Sequence, residues 1–313
     1  MLSYIGRRIL ATIPVVLTVA ILVFALLRLT PGDPALIIAG DSATPSQLAE
    51  IREHMGIGKP IPVQFLLWAG QVARGDLGVS LHSRTPVVQM ISGRIGPTLA
   101  LATSTILLST LIAIPLGVFA AWHRGTKVDR AIMAFSVLGF SVPIFVTGYA
   151  LILLFAIKFA WVPVQGYKQL ADGFWPFAQH LILPTLALST GFVALIARIT
   201  RSSILEVMGE DYIRTARAKG IKEHAVMLSH ALRNSAVPII TILGISIALL
   251  ISGVVVTESV FNLPGLGRLV VESVLARDYP LIQGLILLFS MVYIGVNLTI
   301  DVLYVVFDPR IRY

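Results

Sequence analysis

The stretch Asp211 to Pro238, DYIRTARAKGIKEHAVMLSHALRNSAVP, carries too many charges to enter lipid. It lies between two apolar runs of membrane length, Leu181 to Thr200 and Val237 to Val260. A helix needs roughly 20 apolar residues to cross the hydrocarbon layer. Four more such runs flank this pair: Ile9 to Leu29, Thr98 to Trp122, Ala131 to Phe155 and Leu281 to Phe307. Alternating ten-residue segments of the barrel type are absent, so helices are the spanning solution that satisfies the backbone. The expected fold is an all-α membrane protein with six transmembrane helices.

Composition supports the same class. Of 313 residues, 56% are hydrophobic and 13% charged, against about 25% charged in soluble domains. The net charge of +8 is divided among loops rather than gathered on a soluble domain, which argues against nucleic acid and for topology. Lys and Arg cluster at Arg7 and Arg8, at Arg124, Lys127 and Arg130, from Arg198 to Arg233, and at Arg310 and Arg312. The alternate short segments hold only Lys158, Lys168, Arg268 and Arg277. By the positive-inside rule both termini are expected in the cytoplasm. The first span is longer than a signal-peptide core and lacks a small-residue cleavage site, so it reads as a retained helix.

The chain divides unevenly. Residues 1–97 comprise the first span and a long outer segment, and residues 98–313 comprise five spans with a cytoplasmic loop at 201–236. In the outer segment Pro31-Gly32-Asp33-Pro34 and Gly75-Asp76-Leu77-Gly78 signal turns. Gln47 to His54 reads as a short helix capped by Thr44 or Ser46. Within the spans, Pro14, Pro115, Pro143 and Pro184 interrupt helices, and Gly117, Gly139, Gly148, Gly191, Gly244 and Gly253 permit close approach. Helix packing explains them plainly. The sharper reading makes Ser141-Val142-Pro143 part of a deformable wall around a path.

Glu258 and Asp301 are the acids nearest membrane depth, where an ionised group usually faces protein or water. A proton-driven carrier would use such a relay. Glu258 reads as interfacial, and Asp301 as a near-interface acid paired with Arg310 or Arg312. With no Cys and no H-E-x-x-H, neither disulfides nor a metal site is expected. No G-x-x-x-x-G-K-[ST] phosphate loop occurs, so no nucleotide cofactor is expected on this chain.

In the central loop, Asp211 stands where a helix N-terminus favours acids, Lys219 falls in the last turn, and Gly220 can take the left-handed stop. A second amphipathic stretch starts at Lys222 and Glu223, with Ala225, Leu228 and Leu232 along one side. The pair forms a stiff helix-turn-helix between two spans. One reading rests it on anionic membrane lipid. The other docks it on a protein partner.

Asp211-Tyr212-Ile213-Arg214-Thr215-Ala216-Arg217-Ala218-Lys219-Gly220, followed by His230, Arg233, Asn234 and Pro238, resembles the signature loop of inner-membrane permeases of ATP-binding-cassette importers. The likeness is greatest to the dipeptide, oligopeptide and nickel branch. Arg214 replaces the family's Glu and Thr215 its first Ala, while Ala216 and Gly220 match; these departures are typical of the peptide branch. Thr30 to Pro34, Gly56 to Gln64, Gly75 to Ser80 and Asp308-Pro309-Arg310 resemble the first of the two permease subunits in such systems. The resemblance implies a type I importer permease fold in a bacterial or archaeal inner membrane. It also implies a second homologous permease, two ATPase subunits that use the ATP, and a periplasmic or lipid-anchored substrate-binding protein. The chain itself is then a transport subunit rather than an enzyme. A proton-coupled carrier, or a nickel or glutathione importer of the same family, is the alternative.

Overall fold

Helical periodicity and apolar length account for nearly all of the backbone in the computed structural model, which describes residues 2–29, 35–36, 44–55 and 57–307. In chain order the helices are α1 (Leu2–Leu29), α2 (Pro45–Met55), α3 (Ile61–Ala73), α4 (Val87–Trp122), α5 (Lys127–Ser141) and α6 (Ile144–Leu151, continued as a π-helical run Ile152–Lys158). They continue as α7 (Phe174–Val207), α8 (Asp211–Ala218), α9 (Glu223–Ala225, continued as a π-helical run Val226–Leu232), α10 (Ala236–Val260), α11 (Leu266–Leu275) and α12 (Tyr279–Phe307). The Thr30 to Pro34 turn, Gly56 and the segment from Asp308 onward lie outside the described residues.

Five of these helices are long and apolar enough to cross a membrane: α1, α4, α7, α10 and α12. The expected third span, Ala131 to Phe155, is not one straight helix. Its halves α5 and α6 meet at 100° and make a sixth crossing only as a bent pair. Val142, at φ −80 and ψ 124, is extended. A residue before proline is pushed out of the helical region by the ring, and Pro143 has no N–H to continue the ladder. Pro14, Pro115 and Pro184, by contrast, lie inside continuous helices. Interruption there is local, because neighbouring groups can take up the freed carbonyls.

Contacts sort the chain into two compact units. One runs over Pro97–Gly267 and takes in the end of α12 from Val296. Its axis is α7, which packs against α5, α6 and α10, and whose apolar window is 67% buried, against 11% for α1. Leu101, Leu183, Leu188, Ile196, Leu250 and Leu263 form the core. A Cβ on Gly117 of α4 would fall 2.6 Å from Thr200 Cβ and 2.7 Å from the Ala197 carbonyl. Only glycine lets α4 and α7 approach that closely. Leu107, Leu111 and Phe140 stay more than half exposed, as expected of surfaces made for lipid or a neighbouring helix.

The other unit contains Leu2–Gly96 and Arg268–Gly295. Phe24 of α1 meets Phe65 and Trp68 of α3 with ring centroids 5.3 and 5.7 Å apart. Gln283 Nε2 donates to the Val23 carbonyl at 2.7 Å. The expected outer helix is α2, and Thr44 is its cap: Thr44 Oγ1 accepts from Gln47 N–H at 3.4 Å while Gln47 Oε1 accepts from Thr44 N–H at 3.0 Å. In the Gly75 to Gly78 turn, Asp76 Oδ1 accepts from Gly78 N–H at 2.9 Å. Beyond it Ser80 Oγ donates to the buried carboxylate of Asp278 at 2.5 Å, and Leu81 N–H to its other oxygen at 3.2 Å. α4 starts well before the expected Thr98, because Val87 and Ile91 are buried in this unit.

Candidate functional site

The loop between α7 and α10 is built as two braced helices. Asp211 begins α8, where a carboxylate is favoured by the helix dipole. The other end closes on Gly220 at φ +78. Gly220 N–H donates to the Arg217 carbonyl at 2.9 Å and Ile221 N–H to the Ala216 carbonyl at 3.3 Å. That pairing is the Schellman motif, which satisfies the last carbonyls and reverses the chain. A Cβ at Gly220 would meet nothing within 4 Å, so what demands glycine is backbone conformation rather than space.

Two ties cross the turn. Arg217 Nη2 reaches Glu223 Oε1 at 2.6 Å and its Nε reaches Oε2 at 3.1 Å. The hydrogen bond from Arg217 holds the Glu223 carboxyl below its ordinary value, and Glu223 in turn raises Arg217. Asn234 Nδ2 donates to Tyr212 Oη at 2.9 Å, joining the start of α8 to the end of the loop. Asp211 and Arg214 add a solvent-exposed pair at 3.2 Å.

α8 has two faces. Ile213 and Ala216 are buried in the chain, whereas Asp211, Tyr212, Arg214, Thr215, Arg217, Ala218 and Lys219 are exposed. In α9 and its π-helical run the buried residues are Val226, Met227 and Ala231, with His230 partly buried and Arg233 and Asn234 exposed. Of the expected apolar line, Ala225 and Leu232 are partly buried and Leu228 is exposed. A π-helical run advances more residues per turn than an α-helix, which rotates a different set inward. Met227 and Ala231 pack with Ala121 of α4 and Ile204 of α7. Leu228 and Leu232 line an apolar groove of about 510 Å³ with Ile114, Val118 and Phe119, and Leu232 also packs on that cluster. The loop is thus anchored on the ends of α4 and α7 and turns a polar, partly basic face outward.

The four residues suggested for a path sit on four other elements. Ser141 Oγ donates to the Val137 carbonyl at 2.7 Å at the end of α5. Pro143 opens α6. Asp301 lies partly buried on α12, and the Arg310 and Arg312 suggested as its partners lie outside the described residues. Glu258 is near the end of α10, as a group close to an interface would be, but the protein buries it completely. Thr98 Oγ1 donates to Glu258 Oε1 at 2.6 Å and accepts from Leu266 N–H at 2.7 Å. A Cβ on Gly265 would lie 2.0 Å from Glu258 Oε1. Glu258 thus clamps the turn after α10 onto α4.

One pair escaped the sequence reading. Arg201 of α7 grips Asp129 of α5 through Nε at 2.5 Å and Nη2 at 2.7 Å. Thr126 caps α5, its Oγ1 accepting from Asp129 N–H at 3.4 Å. Its neighbour's partner, 72 residues on, left no local trace. Among the described residues no group of three or more His, Asp or Glu is placed to hold a metal ion.

The chain matches the family described as binding-protein-dependent transport system inner membrane component over residues 113–313. The N-terminal part of such membrane components matches over residues 1–102. A probable peptide ABC transporter permease protein of Sinorhizobium fredii is 52% identical over 310 residues, 99% of each chain. A glutathione transport system permease protein of Salmonella choleraesuis is 44% identical, and that of Escherichia coli K12 42%, each over 313 residues and the whole of both chains. An inward-facing structure of the MetNI methionine ABC transporter aligns with a TM-score of 0.60 at 16% identity, over 70% of this chain and 97% of that one. The shared fold is that of an importer permease. This chain belongs to the family of binding-protein-dependent inner-membrane transport components. It is the permease component of a bacterial ABC importer and a multi-pass protein of the inner membrane.

Proposed function

We propose that α8 and its Gly220 turn are the element through which separate ATPase subunits drive this permease, and that the cargo is a small peptide. The observation that carries the docking reading is the braced geometry. Ile213 and Ala216 fasten α8 to the chain while Arg214, Thr215, Ala218 and Lys219 face outward. A helix held by a Schellman turn and two cross-ties passes on a partner's displacement instead of absorbing it. ATP binding by the partners would favour one access state only by differential affinity.

The distribution of Lys and Arg supports placing the loop and both termini in the cytoplasm. The complex contains a second homologous permease, two ATPases and an extracytoplasmic binding protein that does most of the selection. Hydrolysis belongs to the ATPases. The peptide reading draws on the relatives above, one a probable peptide permease and the others glutathione permeases.

The chain has no Cys, so Ala218→Cys gives a single reporter in it. In the reconstituted complex this position should crosslink to an ATPase subunit in every nucleotide state. Crosslinks to phospholipid alone throughout turnover would refute the docking reading. Binding-protein-dependent uptake of labelled dipeptides and of glutathione tests the cargo, and failure of both would refute that part.

A further inference from the structure

Asp129 is nearly wholly buried, at 3% exposure, at the start of α5. Its two oxygens are gripped by the Arg201 fork, and Gly125 N–H donates to Oδ2 at 2.9 Å. Arg201 keeps 24% of its side chain exposed, and a pair of this kind adds little to folding whether it is solvated or enclosed, since even buried ion pairs can often be replaced by apolar residues without loss. Folding alone therefore gives little reason for this one. What a bidentate fork supplies is orientation, because two parallel bonds fix angle as well as distance.

The position of the pair suggests a use for that orientation. Arg201 stands less than two turns before the end of α7 at Val207, and the chain then runs through Glu210 directly into α8. Ile204, one turn beyond Arg201, belongs to the cluster that seats Met227 and Ala231 of the loop. On the other side, α5 runs from Asp129 to the extended Val142 and the 100° bend into α6. A displacement of the loop would thus reach Arg201 through one continuous segment. α5, packed along α7 and joined to it at Asp129, would carry it onward to the bend at Val142-Pro143.

We infer that the Asp129–Arg201 pair is a positioning joint that passes movement of the α8 loop into the bent α5–α6 crossing, with Val142-Pro143 as its pivot. The inference rests on the proposed docking role of α8. It assigns Asp129 and Arg201 to coupling rather than to cargo contact, and gives Pro143 a mechanical part.

The test uses the assembled importer in proteoliposomes with its binding protein, reading cargo taken up per ATP hydrolysed. Arg201→Lys keeps the charge but loses the fork, and D129L/R201M replaces the pair with an apolar contact of similar size. Both should assemble at wild-type abundance and hydrolyse ATP, yet lose about tenfold in uptake per ATP, within the range by which coupling responds to single residues. Asp129→Glu should recover part of the loss. Wild-type uptake per ATP in D129L/R201M overturns the inference, as does a parallel fall of abundance, hydrolysis and uptake in both variants, which would mark a purely structural pair. Gly220→Val in the same assay separates the two readings. If it uncouples while D129L/R201M does not, only the joint is wrong. If neither changes the ratio, the docking role of α8 falls with it.

Discussion

Two turns of the Pro97–Gly267 unit are locked by carboxylates in opposite ways. After α8, Glu223 ties to Arg217 only six residues away, and both side chains are 40% or more exposed. After α10, Glu258 ties to Thr98 across 160 residues and is fully buried. The first lock is local, solvated and tolerant of change. The second is long-range and rigid, because a buried polar group left without its partner bears its whole desolvation penalty. A surface meant for a partner tolerates exposed charge, whereas a turn that holds two helices together must exclude water. The molecule seals one turn inside the protein and braces the other in solvent.

The contrast breaks if substitutions at the two turns have similar effects. The largest loss is expected for Gly265→Ala, whose Cβ would overlap the Glu258 carboxylate. Overpacking of this kind costs roughly 1–3 kcal/mol. Thermal unfolding in detergent should show it, and an unchanged transition would mean that the clamp yields. Thr98→Val comes next, removing a donor to a buried acid at about 1–3 kcal/mol, read by the same transition.

Gly220→Val is expected to cost about 1–2 kcal/mol, the left-handed penalty for a residue with a Cβ, with no steric clash to add. Its signature is in function: uptake per ATP should fall further than abundance does. Glu223→Gln is the mildest, at roughly 0.2–1 kcal/mol for an exposed pair. It also carries a pH signature. The Glu223 carboxyl is lowered in the folded loop from an ordinary 4.5, so its contribution is complete above that value and is lost as pH falls through the lower folded one. Arg217 is raised and stays charged throughout. Amide-exchange protection at Gly220 to Val226, with the pH dependence of the intrinsic rate divided out, should therefore be constant from neutrality down to about pH 5 and fall below 4.5. In Glu223→Gln that step should vanish, and its persistence would assign it to another group.

Several of these features were legible in advance. The presence of the apolar runs, a cap at Thr44 or Ser46, the Asp76 turn and the glycine stop at Gly220 all follow from chemistry within a few residues. The same locality explains the misses. A proline marks a possible break, but α4 and α7 continue through Pro115 and Pro184 while the chain turns by 100° at Pro143. What surrounds each ring decides between them. The π-helical run at Val226–Leu232 moved the buried face off the line that a 3.6-residue period predicts.

By itself the sequence determined the membrane class, the helical backbone and the presence of a charged, glycine-stopped loop. Each of these is set by hydropathy and dihedral preference along a short window. Only the tertiary structure decided that Glu258 is enclosed, that Asp129 meets Arg201, and that the loop rests on Ala121 and Ile204. Those outcomes join residues far apart in the chain. They depend on how close α4, α5, α7 and α10 come, which is a property of packed surfaces rather than of any segment read alone.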